Sequence, residues 1–198
     1  PTFRGNNFRN TASYGVSKIS RKELNVKWKT TTSFSSWGGG AGWTGQPAII
    51  KWNEDLKNSM NIDEKFKSQA NFTEVMYASL DGKVYFLDLK SGEQSRNTIK
   101  VGNPIKGSLS IDSREIPMLY VGEGIDEGGT TGFNIYSLID GSSLYEINGY
   151  DDYAYRGWPA FDSSALIYPE GDIVIEAGEN GILYIIKLNT NYDRENNT

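Results

Sequence analysis

The chain has 198 residues, no Cys, no His, and a formal net charge of −5 from 20 Lys+Arg and 25 Asp+Glu. Without Cys and His, it cannot use disulfides, thiol nucleophiles, zinc sites of the usual kind or an imidazole general base. The basic residues are scattered among a surplus of acids and form no stripe, which argues against nucleic acid or an anionic membrane surface as a partner.

Hydrophobic residues make up 37% of the chain, less than a single-core globule usually carries, while aromatics reach 13% and Gly numbers 22. Many short strands joined by tight turns produce this mixture. No apolar run approaches the ~20 residues of a membrane span. The chain starts at Pro1 rather than Met, which points to a removed leader or to a start inside a longer protein. With a Cys-free composition rich in Asn and Tyr, the expectation is an extracellular or cell-surface protein of a bacterium.

In chain order, residues 13–19 and 24–29 read as two strands joined by residues 20–23, the end of one repeat. Residues 37–47, Trp37-Gly38-Gly39-Gly40-Ala41-Gly42-Trp43-Thr44-Gly45-Gln46-Pro47, form a Gly run between two Trp. Three repeat openings then align, at Gly45-Gln46-Pro47-Ala48, Gly107-Ser108-Leu109-Ser110 and Gly157-Trp158-Pro159-Ala160. The first interval is the longer one, and the polar stretch 53–71 accounts for it as an insertion with a helical turn at 63–67. Second strands follow at 74–79, 118–122 and 173–178, each ending in small residues that permit close backbone approach. Asp81-Gly82 and Asn180-Gly181 are hairpin signals of the two-residue type I′ kind, whereas the middle repeat has a long acidic, Gly-rich loop over 123–132. Third strands at 83–89, 133–139 and 182–188 are rich in β-branched and aromatic residues. Fourth strands follow at 97–101 and 144–147, and the last repeat lacks one. Four antiparallel strands per ~40–50 residues is the signature of a propeller blade.

The predicted fold class is therefore all-β: a β-propeller of four-stranded antiparallel blades, about four of them visible, in an incomplete ring. One domain spans 1–198, with blades over 1–36, 37–101 (insertion 53–71), 102–149 and 150–198. The ring is expected to be completed by further blades or by a second chain.

Residues 83–93, Lys83-Val84-Tyr85-Phe86-Leu87-Asp88-Leu89-Lys90-Ser91-Gly92-Glu93, resemble the core of the PQQ-like repeat of quinoprotein-like β-propellers. Residues 180–188 and 133–141 are similar but more divergent copies. The resemblance implies the propeller fold. It also implies a choice between quinone-dependent dehydrogenases and non-enzymatic members, one of them a lipoprotein of outer-membrane assembly. Two departures bear on that choice. The vicinal Cys pair of the dehydrogenases is absent, and only Trp28 stands where their tryptophan docking motif would place a Trp. No cofactor residue is carried over, and no cofactor is expected.

The candidate binding residues lie in the segments that precede the repeat openings. Trp37, Trp43 and Gln46 belong to the Gly run, Lys106 to the next entry, and Tyr155, Arg156 and Trp158 to the one after. If these entries share one face, they form an aromatic cluster able to stack on sugars or grip a protein. Packing between repeats would use the same aromatics. The Gly run lacks the Lys-Ser/Thr ending of a phosphate loop. Glu123, Asp126 and Glu127 offer an oxygen-rich loop that could hold calcium, although the spacing is not that of an EF-hand and a solvated turn would look the same. Paired carboxylates for glycoside hydrolysis are unavoidable among 25 acids and carry little weight. Ser163-Ser164 has no His to activate it. Arg4 and Arg9 suit ion pairs that clamp the N-terminal strand. The expected function is a non-catalytic binding or scaffold propeller whose ligand is a protein or a glycan. The alternatives are a propeller enzyme, either a divergent quinoprotein dehydrogenase or a carbohydrate-active one, and purely structural blades of a larger ring.

Overall fold

A computed structural model describes residues 20–21 and 23–196. The predicted strand over 13–19, together with Arg4 and Arg9, lies outside the described residues.

The strands form three separate antiparallel meanders. Sheet I contains β1 (Ala48–Lys51), β2 (Thr73–Ala78), β3 (Lys83–Asp88) and β4 (Ile99–Lys100). Sheet II contains β5 (Ser110–Ile111), β6 (Met118–Gly122), β7 (Gly132–Ser137) and β8 (Ser143–Asn148). Sheet III contains β9 (Leu166–Tyr168), β10 (Ile173–Ala177) and β11 (Leu183–Lys187). The strand order is sequential in every sheet, and no sheet closes on itself. The all-β class and the four-strand antiparallel unit of the sequence reading hold.

Three details of that reading are corrected. Residues 157–163 form no strand; the first strand of sheet III is β9, further along. Residues 24–29 alternate apolar and polar but have no strand partner and no strand conformation among the described residues. The hairpins at Gly82 and Gly181 are not two-residue type I′ turns. Gly82 N–H returns to Ser79 C=O and Gly181 N–H to Gly178 C=O, both at 3.1 Å. Only the Gly has positive φ, +71° and +91° respectively, as in a longer turn ending in a left-handed residue.

Side-chain alternation explains the layering. Along β3, Val84 and Phe86 point to one side, and both are fully buried against sheet II with Met76, Leu119, Val121 and Tyr136. Along β7, Phe133 and Ile135 point onward and meet Phe161, Ile167 and Val174 of the sheet III region. Each such side chain contributes about 1.5–3 kcal/mol relative to an exposed one. The polar insertion folds into α1 (Glu54–Ser59) and α2 (Glu64–Lys67), with Asn53 capping α1 through its side chain. Leu56, Met60 and Phe66 drop from it into the core shared by sheets I and II.

Each joint between sheets carries a buried or half-buried arginine. Arg96 donates to Glu74 of sheet I through Nε (3.1 Å) and Nη2 (2.5 Å), and to Leu138 C=O beyond β7 through Nη1 (2.8 Å). Arg114 holds Asp112 of sheet II at 2.7 Å and Asp172 of sheet III at 2.5 Å.

At the opposite end, the segments entering each sheet are stitched first to the second-to-third-strand turn of their own sheet. Leu80 N–H donates to Gly40 C=O (2.9 Å), Gly124 N–H to Pro104 C=O (2.8 Å) and Glu179 N–H to Ala160 C=O (2.8 Å). The residues after Pro104 and Ala160 then reach back to the preceding sheet: Ile105 N–H to Ser79 C=O (3.2 Å) and Phe161 N–H to Glu123 C=O (2.7 Å). Gly40, Pro104 and Ala160 are thus structural equivalents. Gly42, Lys106 and Asp162 are equivalents two residues later. The alignment on Gly45, Gly107 and Gly157 is out of register, because Gly107 corresponds to Trp43 and Ser163.

Candidate functional site

The stitched entry segments and the second-to-third-strand turns of all three sheets share one end of the molecule, and most of the predicted site residues lie there. Lys106 follows Pro104 and Ile105 on an entry segment and is only 6% exposed. Its Nζ pairs with Asp162 Oδ2 at 2.6 Å and lies 4.0 Å from Glu179 Oε1. The same ammonium sits 5.2 Å from the centroid of the Trp43 ring, a cation–π distance. Trp43 is 82% exposed. It is held by its backbone: Thr44 N–H donates to Lys106 C=O at 3.3 Å, and Gly42 passes so close that a β-carbon there would overlap the Lys106 backbone.

Arg156 extends the cluster. Its backbone N–H donates to Asn180 C=O (3.3 Å) and its Nη1 to Glu179 C=O (3.4 Å). Its guanidinium lies 6.0 Å from the Trp158 ring centroid. Tyr153 and Tyr155 project fully into solvent beside it, and Trp158 is partly exposed. Trp43, Lys106, Asp162, Glu179, Arg156 and Trp158 therefore form one connected chain of contacts.

The remaining predicted residues fall outside that chain. Gln46 contributes its backbone N–H to Ser108 Oγ (2.9 Å), and the residue itself is exposed. Trp37 stands exposed in a small hairpin closed by Ser35 and Gly38, next to Ser36, whose hydroxyl donates to Glu127. The three acids of the 123–132 loop are not brought together. Glu123 is buried, and its two carboxylate oxygens accept from Asn103 N–H (3.0 Å) and Gly132 N–H (2.9 Å). Burial raises its pKa against the pull of those donors. Asp126 accepts from the Tyr150 hydroxyl at 2.9 Å, a bond that holds the phenol above its ordinary pKa. Among the described residues, no group of three or more acids could hold a metal ion.

Sequence reasoning missed Asp162 and Glu179. Burial, with the Glu179 carboxylate close by, pushes the Asp162 carboxyl up to about 6, even with Lys106 pulling the other way. Asp162 Oδ1 is buried with no hydrogen-bond donor. Gly124 makes room for it, since a β-carbon there would overlap both this oxygen and the Lys106 side chain. The signal for Asp162 was present, because it occupies the Lys106 position of the next repeat, but only the correct register reveals it. A cleft of about 360 Å³ begins beside Thr44, Asp162 and Ser163 and runs over Leu166, Ile175 and Leu183 of sheet III.

No helix among the described residues is long and apolar enough to cross a membrane. No protein-family model matches the chain, and no curated protein does. Among solved structures, a computationally designed protein, Ika4, is similar at 14% identity and a TM-score of 0.37, over 60% of this chain and 61% of that protein.

Proposed function

We propose that the chain is a non-catalytic binding scaffold whose sheets stack as blades of a propeller and whose ligand is a protein held on the aromatic end. The repeated stitching of entry segments to neighbouring sheets supports radial stacking. The ligand reading rests on one observation. Exposed Trp43 lies over a buried, charge-paired Lys106, and exposed Tyr153, Tyr155 and Trp158 lie beside Arg156 on the same entry-segment end. Aromatic residues and Arg over a rigid floor are what protein interfaces concentrate at their centres. The cluster is spread and shallow, which suits a broad partner rather than an enclosed small molecule.

A carbohydrate-active enzyme is favoured less by the same geometry. Lys106 Nζ lies 2.6 Å from the Asp162 and 4.0 Å from the Glu179 carboxylate, whereas a glycosidase keeps its two acids free to flank the scissile bond. The pair is better read as the counter-charge of Lys106. The test is a set of printed protein, peptide and glycan arrays probed with wild type and with Trp43→Ser/Tyr155→Ser/Trp158→Ser. Protein or peptide ligands that the variant loses, with its circular dichroism unchanged, are the expected result. Ligands bound equally by the variant would place the site elsewhere, and glycan ligands alone would replace the protein reading.

A further inference from the structure

We infer that the free end of sheet III is a docking surface for the N-terminal end of a second copy of this chain, joined head to tail. Three independent features meet there, and none depends on whether the aromatic end binds a ligand.

The first is the face of sheet III. Hydrogen bonds fix the equivalences: Ser79 N–H donates to Lys83 C=O, Glu123 N–H to Gly132 C=O and Gly178 N–H to Ile182 C=O. Val84, Phe133 and Leu183 are therefore one position, and Phe86, Ile135 and Ile185 another. In sheets I and II these side chains are buried against the next sheet, all at 4% exposure or less. In sheet III the same positions remain apolar, yet Leu183 is 61% and Ile185 58% exposed. The interface that joins I to II and II to III is presented a third time with none of the described residues packed over it.

The second is the edge. Sheets I and II each end in a fourth strand, and sheet III ends at β11. The described residues beyond β11, 188–196, do not return to supply one. It turns through Asn189 at φ +52°, is tied by Thr190 to Asp172 and Arg114, and packs Tyr192 against the core of sheets I and II. An apolar edge strand left this way invites pairing. At the other end of the chain, Leu24-Asn25-Val26-Lys27-Trp28-Lys29 alternates like a strand. Leu24 is fully exposed and Val26 72% exposed. Trp28 anchors the segment to sheet I, donating from Nε1 to Leu89 C=O at 2.9 Å and lying against Gly92. This places a segment with strand-like alternation, unpaired among the described residues, where the outermost strand of a sheet preceding sheet I would lie.

The third is the backbone stitch. Ile105 and Phe161 donate to Ser79 and Glu123 of the preceding sheet. The equivalent donor of the first entry segment is Ala41 N–H, and the equivalent acceptor of the last sheet is Gly178 C=O. Among the described residues, Ala41 N–H has no backbone acceptor and Gly178 C=O accepts only from Gly181 in its own turn. The two unused halves of one repeating bond sit at opposite ends of the chain. A second copy that brings its residues 24–29 to β11 and its Ala41 to Gly178 would cover Leu183 and Ile185 with its own sheet I. Such an interface is heterologous and closes as a ring when its rotation permits.

The test is the particle mass of the 198-residue protein by light scattering across a concentration series. The expected result is one discrete species at a whole multiple of 22.1 kDa. Val26→Asp and Ile185→Asp, both at exposed positions, should each weaken association at least tenfold. An equimolar mixture of the two should associate again, since one intact interface remains between unlike chains. Leu183→Lys replaces Ile185→Asp if the latter unfolds. A monomer at every concentration would overturn the inference. So would association indifferent to Val26→Asp, which would mean that sheet III meets its own copy face to face.

Discussion

Replacing Arg96 by Met keeps the volume of a long side chain and removes its charge. Arg96 and Glu74 are both almost completely buried, at 2% and 0% exposure. Glu74 also accepts from Ser95 Oγ (2.5 Å) and Trp52 Nε1 (2.8 Å), and the guanidinium stacks on Phe86 at 4.3 Å. In Arg96→Met these two neutral donors would be left to hold an uncompensated carboxylate. Breaking a buried pair from one side costs about 3–5 kcal/mol, and the orphaned Leu138 carbonyl adds about 1 kcal/mol. At roughly 2–4 °C per kcal/mol for a chain of this size, the midpoint should fall by about 8–24 °C. The assay is urea unfolding with linear extrapolation, alongside a thermal scan. Glu74→Leu/Arg96→Met should be less destabilised than Arg96→Met alone, because no buried charge remains. A loss below about 1 kcal/mol for the single variant would refute the view that this pair locks the joint between sheets I and II.

Gly82→Val should destabilise by about 2 kcal/mol or more, because φ there is +71° and a β-carbon would overlap Gly102 C=O; a wild-type melting curve would sink the turn assignment. The Asp162 carboxyl binds its proton more tightly folded than at its ordinary 3.8. Its contribution is present below pH 3.8 and fades as pH rises to about 6. Unfolding free energies measured across that window should fall for wild type and flatten for Asp162→Asn. Asp172 behaves oppositely: although burial works against it, donors from Thr190, Arg114 and Lys187 hold its pKa well below the ordinary range. Asp172→Asn should therefore lower stability at pH 7 and matter progressively less as the medium is acidified below about pH 4, which a pH series of thermal midpoints would show. Gly124→Ala should push Asp162 and Lys106 apart, read as a changed Trp43 fluorescence with the secondary structure intact; an unaltered spectrum would count against the tight packing of that floor.

The strands were legible because their signals are local. The period-two alternation of 83–89, the β-branched run 173–177 and the Gly at Gly82, Gly92 and Gly141 each act within a few residues, and β3, β10 and the turns fall where those patterns lie. The candidate site was legible in part. Trp43, Lys106, Arg156 and Trp158 were picked as aromatic and basic residues on entry segments, and they do meet. Asp162 and Glu179, which complete the charge balance, carry no local mark and were missed.

By itself, then, the sequence determined the all-β class, the meandering four-strand unit and the residue types that line one end. The tertiary structure alone decided the register of the repeat, which strands remain without a partner and which charges lie buried together. The reason is physical. Alternation and turn chemistry are set by each residue's own backbone, whereas the burial of Lys106, its pairing with Asp162 and the exposure of Leu183 depend on where distant sheets come to rest. Residues 157–163 show the difference. Gly157-Trp158-Pro159-Ala160 looks like a strand opening, yet its backbone is committed to Glu123 and Glu179 of two different sheets, and a segment bonded across sheets cannot also join a ladder.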